Sequence, residues 1–492
     1  MRLVLAVATL TTLTAAAPRH PARPAPVDVI RRAIDAVGGE AALRGLRTLV
    51  TEGASTNRSP GQEDLPFGAP AATMAFNRTT RDRAGKRLRS DAEARFTGNT
   101  GPSAHTTAIA TQDAAMFMTN GRRIVGPRNF QQAGVSTLDN FMPLVLIKML
   151  DQPDSVSAAA PLRIAGQTAE AVTFVSNGVP ATIYFDSATG LPLQQVTVAD
   201  DAILGDAMTT VTWSHWSKTA VRLPGQTYSA GARGTVITIQ RVVSINDPVD
   251  DSTFAIPDSI AAQFRAQPPA PATPNGQLVT MTQLAPGVWR AAGPNYNSMV
   301  VEQPDRLVLV EAPISANWTQ ALLDTLAARF PGKRIGWVVN THHHWDHSGG
   351  VRTVLAAGIP VVTQERNVAF VRSIGAAHKT VKPDALSRGR RMPQVIGVVD
   401  SLTLGSGDLR VQVLSISTAQ DGGAHVVAYV PGPGILFESD VLTAPPGNRQ
   451  PLSKPSAAEI VALARDRGLT ITQVLGGHGE VAAMDNITRA AQ

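Results

Sequence analysis

The pattern of apolar and polar positions divides the chain into stretches of different character. In residues 27–53 apolar residues recur at helical spacing and Gly38 and Gly39 interrupt them, which predicts two short helices. From Leu49 to about Pro257, short runs that alternate apolar and polar residues, such as TMAFNRT and ATIYFDS, are separated by turn sequences. This second stretch is therefore predicted to be mainly antiparallel β structure.

From Leu278 onward, strand-like and helix-like segments alternate. GVWRAAG, NSMVVEQ and RLVLVEAP predict a β meander, ANWTQALLDTLAARF predicts an amphipathic helix, and RIGWVVNT predicts a buried strand. GILFESD and TQVLGGHG predict further strands, and TQVLGGHG is expected to be the final one.

The length of 492 residues exceeds what one hydrophobic core supports, so we predict an α+β protein of two domains. The β-rich N-terminal domain spans 27–265 and the C-terminal domain spans 278–492. The Pro/Ala-rich stretch between them, 266–277, is typical of a linker.

The first residues carry the features of a secretory signal peptide. In residues 1–17, Arg2 supplies the positive start, an apolar run follows, and alanines provide small residues for cleavage. The apolar run is too short to span a bilayer, which takes about 20 residues. A Pro-rich spacer, 18–26, comes next. We therefore expect an exported protein, periplasmic or extracellular in a bacterium, without a membrane span.

The composition is typical of a folded protein, and the charge argues against one class of partner. Hydrophobic residues make up 43% of the chain and charged residues 17%, which is typical of globular proteins. The net charge of +6 is small for this length and no run of Lys or Arg marks a nucleic-acid tract. We expect a small-molecule substrate and no nucleic-acid partner. The chain has no cysteine, which excludes disulfides and thiolate metal ligands.

The stretch NTHHHWDHSGG, directly after the predicted strand RIGWVV, concentrates four histidines and an aspartate. Alternate side chains of an extended chain face the same way, so His342 and His344 are expected to point to one place and His343 elsewhere. A turn after Trp345 would let Asp346 and His347 converge on an adjacent place. Neutral imidazoles and a carboxylate are ligands for zinc and similar divalent ions. We interpret His343 as a supporting or surface residue.

The motif T-H-x-H-x-D-H, here Thr341 to His347, resembles that of the metallo-β-lactamase-fold hydrolases, over about residues 278–492. The resemblance implies a four-layer αβ/βα sandwich with one or two metal ions at the edge of its central sheets. Asp440, at the end of GILFESD, looks like the family's bridging aspartate, and His478, near the end of TQVLGGHG, looks like its last histidine. The implied ligands are His342 and His344 for a first ion, Asp346, His347 and His478 for a second, and Asp440 for both.

The same resemblance implies metal-dependent hydrolysis. A metal-bound hydroxide would attack an ester, lactone, thioester or amide-type carbonyl, and Asp346 would be the catalytic residue that orients the nucleophile. The expected cofactor is Zn²⁺, one or two ions per chain, with iron or manganese as alternatives.

One ligand of the family pattern is missing. A third histidine is expected for the first ion in the loop after VQVLSIS, and counting back from Pro431 places Asp421 there, with His425 four residues later. Either Asp421 supplies a carboxylate, or the loop folds so that His425 binds, or the first site is weak or empty. Two glycines after Asp421 allow many conformations, so the alternatives stay open. His378 is interpreted as a loop residue.

The N-terminal half has a looser resemblance. ATIYFDSATGLPLQQVT and FAIPDSI resemble segments of lipoprotein-sorting carriers of the bacterial periplasm. This implies an antiparallel half-barrel with helices that can hold an apolar ligand. The alternative function is therefore a lipid- or lipoprotein-binding protein with a degenerate metal site. The simpler interpretation is a structural β domain that packs on the catalytic one.

Overall fold

A computed structural model describes residues 24–96, 103–176, 178–268, 279–293, 295–389, 394–418, 422–445 and 451–492. The predicted signal peptide, most of the predicted spacer and linker, and Asp421 lie outside these ranges. No helix among the described residues is long and apolar enough to cross a membrane.

The N-terminal part begins with two helices, as predicted, α1 Pro26–Ala36 and α2 Glu40–Arg44. A large antiparallel sheet follows, and thirteen of its strands lie in the described residues. They are β1 Thr48–Arg58, β2 Ala72–Asp82, β3 Arg87–Phe96, β4 Ala104–Ala110, β5 Ala115–Thr119, β6 Arg122–Val125, β7 Val156–Ile164, β8 Gln167–Ser176, β9 Val179–Asp186, β10 Pro192–Asp201, β11 Gly205–Trp216, β12 Pro224–Gly231 and β13 Gly234–Ile245. The prediction of a mainly antiparallel β region is confirmed.

Strands that follow one another in the chain pair, except β6 and β7, which lie at the two ends of the strand order, and β1 pairs with β13 in the middle. Helices α3 Arg128–Ser136, α4 Val145–Asp151 and α5 Asp258–Ala266, with two 3-10 helices, Pro153–Ser155 and Asp251–Phe254, complete this part. In α1 the apolar residues lie on one helical face, and α1, α2 and α4 share a buried core with β8, β9 and β11. Ile30, Leu43, Leu146, Phe174 and Trp213 belong to that core.

The opposite face of the sheet is exposed around its middle. Phe76 and Ile239 are cross-strand neighbours of Ala54, and they are 66% and 60% exposed. They line a cavity of about 760 Å³ together with the charged residues Glu52, Arg78 and Arg241. The half-barrel shape stays a prediction.

The C-terminal part contains two mixed sheets within the described residues. The strands of the first are β14 Thr280–Ala285, β15 Val288–Ala292, β16 Asn297–Glu302, β17 Arg306–Val310, β18 Arg334–Val339, β19 Val361–Gln364 and β20 Val395–Val398. β14 to β17 form the predicted antiparallel meander, and β17 to β20 run parallel. The second sheet contains β21 Ser401–Leu404, β22 Val411–Ile416, β23 His425–Val430, β24 Ile435–Ser439, β25 Gln473–Gly476 and β26 Val481–Ala483.

The helices of this part are α6 Ala316–Arg329, α7 Trp345–Ser348, α8 Val351–Ala356, α9 Val368–Ala376, α10 Ala385–Arg388, α11 Lys454–Asp466 and α12 Met484–Ala491, with a 3-10 helix at Glu365–Asn367. The prediction that TQVLGGHG is the final strand is wrong. β26, the three residues Val481–Ala483, follows it and pairs antiparallel with β25 before α12 begins, and a strand this short gives no pattern to read in the sequence.

Residues of both sheets form one core, in which Val308 and Val339 meet Val426 and Phe437. Helices α6, α8 and α9 share a second core with the first sheet, and α11 shares a third with the second sheet. These buried faces explain why β17, β18, β23 and β24 are almost wholly apolar.

The N-terminal sheet is anchored to the C-terminal part by the turn between β10 and β11. Ile203 is buried in the core that contains α6, α8 and α9. The carboxylate of Asp206 accepts hydrogen bonds from the backbone N–H groups of Thr380 and Val381, and its own N–H donates to the carbonyl of His378 at 2.7 Å. His378 therefore lies in a loop, where it contacts the N-terminal sheet.

Candidate metal centre

The candidate site lies where four strands of the two C-terminal sheets end. β17 and β18 are parallel neighbours in the first sheet, and β24 and β25 are parallel neighbours in the second. The carboxyl ends of parallel strands meet at one edge, which is where open α/β sheets place their ligands. Glu311, the 340–347 loop, Asp440 and His478 each follow one of these strands.

Three groups of side chains in the described residues could hold a metal ion, each with ligand atoms within 4.8 Å of one another. One contains His342, His344 and Asp440, and another contains Asp346, His347 and His478. The third consists of Glu311, His342 and His347. The first two groups correspond to the two sets of side chains that were expected from the H-x-H-x-D-H motif, and they lie next to each other in the structure.

The carboxylate of Asp440 lies between the first two groups. Its Oδ2 is 3.4 Å from Nε2 of His342 and 3.9 Å from Nδ1 of His344. Its Oδ1 is 3.0 Å from Nε2 of His347 and 3.4 Å from Nε2 of His478. One oxygen faces each group, which is the arrangement that a bridging carboxylate requires.

Hydrogen bonds determine which nitrogen of each histidine faces the centre. Nδ1 of His347 lies 2.7 Å from Oε2 of Glu311, and Nδ1 of His478 lies 2.9 Å from the carbonyl of Asn295. Carboxylate and carbonyl oxygens only accept, so both Nδ1 atoms carry the proton. The Nε2 atoms of these two rings therefore face Asp440, as in the histidine–carboxylate pairs that support metal ligands.

His342 is oriented in the same way through a threonine. The hydroxyl of Thr341 donates to the carboxylate of Glu311 and lies 2.9 Å from Nδ1 of His342. Because the threonine hydroxyl donates its proton to the hydrogen bond with Glu311, Nδ1 of His342 donates to the threonine oxygen. Its Nε2 atom is buried and has no hydrogen-bond partner among the described residues. A buried nitrogen lone pair beside a carboxylate fits a bound cation.

The charges of the site are strongly coupled. Burial alone would lower the pKa of His347, but the carboxylates of Glu311 and Asp440 outweigh it and raise this pKa well above the ordinary value. A hydrogen bond to Asp440 also raises the pKa of His478. Burial and the neighbouring charge of His347 lower the pKa of His342 well below its usual range. Burial opposes it, yet the surrounding imidazoles of His342, His344, His347 and His478 hold the pKa of Asp440 far below the ordinary value.

The site is open on one side. The side chains of His342 and His347 are fully buried, whereas those of Asp346 and His478 are 31% and 27% exposed. A ligand from solvent therefore reaches the group of Asp346, His347 and His478 first.

Sequence reasoning missed Glu311, which connects the parts of the site. This fully buried carboxylate accepts hydrogen bonds from Thr341, from His347 and, at 2.7 Å, from the hydroxyl of Ser439. Glu311 and Ser439 both have positive φ, 67° and 68°. Strained backbone of this kind is concentrated at functional sites. The signal in the sequence was an acid at the end of the apolar strand RLVLV, the same pattern that identified Asp440.

Tyr296 was also missed. Its hydroxyl donates to Oδ2 of Asp346 at 3.3 Å, and its ring lies 4.5 Å from the ring of His478. Burial, together with the charge of Asp346, raises the pKa of this phenol, so it stays protonated and acts as a donor.

Two further histidines considered in the sequence, His425 and His343, lie outside the three groups. Nε2 of His425 donates to the carbonyl of Glu438 at 2.9 Å, and its ring stacks on His342 at 4.8 Å. His343 is buried, and its Nε2 donates to the carbonyl of Glu63 at 2.6 Å. This makes His343 a supporting residue. Asp421, the other candidate for a third ligand of the first ion, lies outside the described residues.

Comparison with known proteins assigns the C-terminal part to a superfamily. Residues 292–474 match the family model of the metallo-beta-lactamase superfamily, a range that includes every member of the three candidate metal-binding groups except His478. This result confirms the resemblance identified from the T-H-x-H-x-D-H motif. No curated protein matches the chain.

Solved structures similar to this chain include three metallo-β-lactamases. TMB-1 is 14% identical, with a TM-score of 0.31, and the match covers 43% of this chain and 95% of TMB-1. A metallo-beta-lactamase from Pontibacter korlensis is 19% identical, with a TM-score of 0.33, over 44% of this chain and 97% of that one. DIM-1 metallo-beta-lactamase is 15% identical, with a TM-score of 0.32, over 43% and 94%.

Proposed function

Because residues 292–474 form a domain of the metallo-beta-lactamase superfamily, we propose that the protein is a metal-dependent hydrolase. Its substrate is a small molecule with an ester, lactone, thioester or amide-type carbonyl. The domain is a four-layer αβ/βα sandwich with its site at the edge of the two sheets. The observation that carries this function is the Asp440 carboxylate, whose two oxygens lie 3.0–3.9 Å from nitrogens of four histidines.

The expected ion is zinc, one or two per chain, with iron and manganese as alternatives, since imidazole and carboxylate donors suit all three. His342 and His344 would hold the first ion and Asp346, His347 and His478 the second, and Asp440 would serve both groups. The groups found in the fold support this division. When bound, such an ion acidifies a water molecule and stabilises negative charge on a carbonyl oxygen.

The chain's own residues then have separate roles. Asp346 is partly exposed at the open side, so its carboxylate is placed to orient the attacking water and to take its proton. The hydroxyl of Tyr296, a protonated donor beside Asp346, is placed to donate a hydrogen bond to the oxygen of the substrate carbonyl. Glu311 touches no substrate and holds His347 in position.

Residues 1–17 support export to the periplasm or the exterior of a bacterial cell. The alternative function, a lipid or lipoprotein carrier with a degenerate metal site, is not favoured, because the superfamily match falls on the half that contains the complete donor set.

Metal analysis of the purified protein tests the proposal directly. We expect between about one and two equivalents of zinc, iron or manganese, and hydrolysis of at least one substrate in a screen of esters, lactones, thioesters and β-lactams. The His342→Ala, His344→Ala double variant should lose the first ion and the activity. Absence of bound metal after loading, or full activity in the double variant, would refute a metal-dependent hydrolase.

A further inference from the structure

A segment of the N-terminal sheet reaches the candidate metal centre. Residues 59–71 connect β1 to β2, and we call the part from 59 to 68 the strap. It lies against the 343–346 stretch of the H-x-H-x-D-H loop and contacts it through side chains and backbone. These contacts join residues about 280 positions apart in the chain. A segment that only connected two neighbouring strands would not need such contacts.

The first contact concerns the tautomer of a proposed ligand. The carbonyl of Glu63 lies 2.6 Å from Nε2 of His343 and 3.2 Å from Nε2 of His344. A carbonyl only accepts, so Nε2 of His344 carries the proton. Nδ1 is then the unprotonated nitrogen, and it is the atom that faces Asp440. The strap therefore supports the His344 tautomer that can bind an ion.

The second contact concerns the carboxylate of the other group. The side-chain amide of Gln62 donates to Oδ1 of Asp346 at 2.8 Å. The other oxygen, Oδ2, faces Nε2 of His347 at 3.5 Å. Gln62 therefore fixes the rotation of this carboxylate and directs one defined oxygen into the site.

The strap is itself held in a specific conformation. The carboxylate of Glu63, which is buried, accepts a hydrogen bond from the N–H of Gly61 at 2.8 Å, and the carbonyl of Gly61 accepts one from the N–H of Trp345 at 3.1 Å. Gly61 has a φ of 114°, and a Cβ atom there would lie 2.7 Å from the indole ring of Trp345. Only glycine allows this approach.

We propose that the strap is part of the metal centre, and that Gln62 and the carbonyl of Glu63 are positioning groups for Asp346 and His344. The N-terminal domain thereby sets the metal affinity of the C-terminal site. This inference rests on the proposed function, because it requires that the site binds a metal ion. Loss of outer hydrogen-bond partners of this kind weakens metal binding by about 10- to 100-fold.

Cobalt binding by the full chain tests the inference. Gln62→Met keeps the length of the side chain and removes the donor. Titration of the metal-free protein with Co²⁺, followed by visible absorption, should show about 10-fold weaker binding at one site and a changed spectrum. Asp64→Asn is the matched control on the same strap, since this exposed side chain has no part in the contacts above, and it should bind as the wild type does.

Gly61→Ala should weaken binding further, because it displaces the strap from Trp345 and affects both contacts. Thermal unfolding of the metal-free Gln62→Met protein should match that of the wild type, which separates positioning from folding. Wild-type affinity and spectrum in Gln62→Met would overturn the inference and leave the proposed function intact. A wild-type protein that binds no Co²⁺ would overturn both.

Discussion

The carboxylate of Glu311 accepts a hydrogen bond from Nδ1 of His347 at 2.7 Å, and both side chains are completely buried. The same carboxylate accepts from Thr341, which orients His342, and from Ser439, which precedes Asp440. Glu311 thus connects the side chains of both proposed ion sites without facing solvent. An uncompensated buried carboxylate is costly, so its three donors and the positive charge of His347 are needed for its burial.

Glu311→Gln should weaken binding of the second ion by about 10- to 100-fold. The amide nitrogen cannot accept a hydrogen bond, so one of the three donors loses its acceptor, and the negative charge that orients His347 is removed. Chelator competition with Zn²⁺ measures this affinity. Glu302→Gln is the control, since Glu302 lies on the adjacent strand at the opposite edge of the sheet and pairs with Lys333. Equal Zn²⁺ affinity in Glu311→Gln and wild type would contradict the role given to Glu311.

Tyr296→Phe should retain the bound metal and lose activity. The phenyl ring keeps the contact with His478, whereas the hydroxyl that donates toward Asp346 is removed. Removal of one donor to a developing oxyanion lowers kcat by about 100-fold or more. Steady-state kinetics on a substrate found in the screen, with metal content measured on the same sample, check this result.

Tyr228→Phe, an exposed tyrosine on β12, is the control for that substitution. Loss of metal from Tyr296→Phe would show that Tyr296 supports the site and does not act on the substrate.

The third ligand of the first ion can be tested by two single variants. Nε2 of His425 already donates to the carbonyl of Glu438, so His425→Ala is expected to lower stability and leave the number of bound ions unchanged. The gap-free count from Pro431 places Asp421 at the position of the missing ligand, so Asp421→Ala should release the first ion. Metal content of the two purified variants decides between them. An unchanged content in Asp421→Ala with about half in His425→Ala would reverse this assignment.

Metal affinity should keep rising with pH beyond the pH range in which ordinary histidines titrate. The pKa values of His347 and His478 are raised in the metal-free protein, so both rings hold protons that a metal ion must displace. Affinity is therefore low while these groups are protonated, rises as the pH passes through the raised values, and then levels off. Each displaced proton contributes about tenfold per pH unit.

Calorimetric Zn²⁺ titrations in buffers of different ionisation enthalpy would count the protons released. A constant affinity above pH ~6.5, the ordinary histidine pKa, would contradict the protonation of His347 in the metal-free site.

Much of the fold follows from local patterns. The two helices around Gly38, the meander before the first parallel strands and the strand before the histidine loop were all predictable, because each buries one face or both. Strand β3 was not, since Arg89 and Asp91 form an ion pair on one of its faces and the strand shows no simple apolar alternation. Strand β26 is too short to give a pattern at all.

The sequence by itself, with the family resemblance, predicted the proposed donors and their local division. His342 and His344 separate from His343 by strand-like alternation, while Asp346 and His347 follow a turn, and Asp440 and His478 come after apolar strands. These are properties of neighbouring residues, so they can be read without a fold.

Only the tertiary structure decided which groups orient those donors. Glu311 is 36 positions from His347, and Gln62 is 284 positions from Asp346. Hydrogen bonds over such separations depend on how the sheets and domains pack, and no local pattern encodes them.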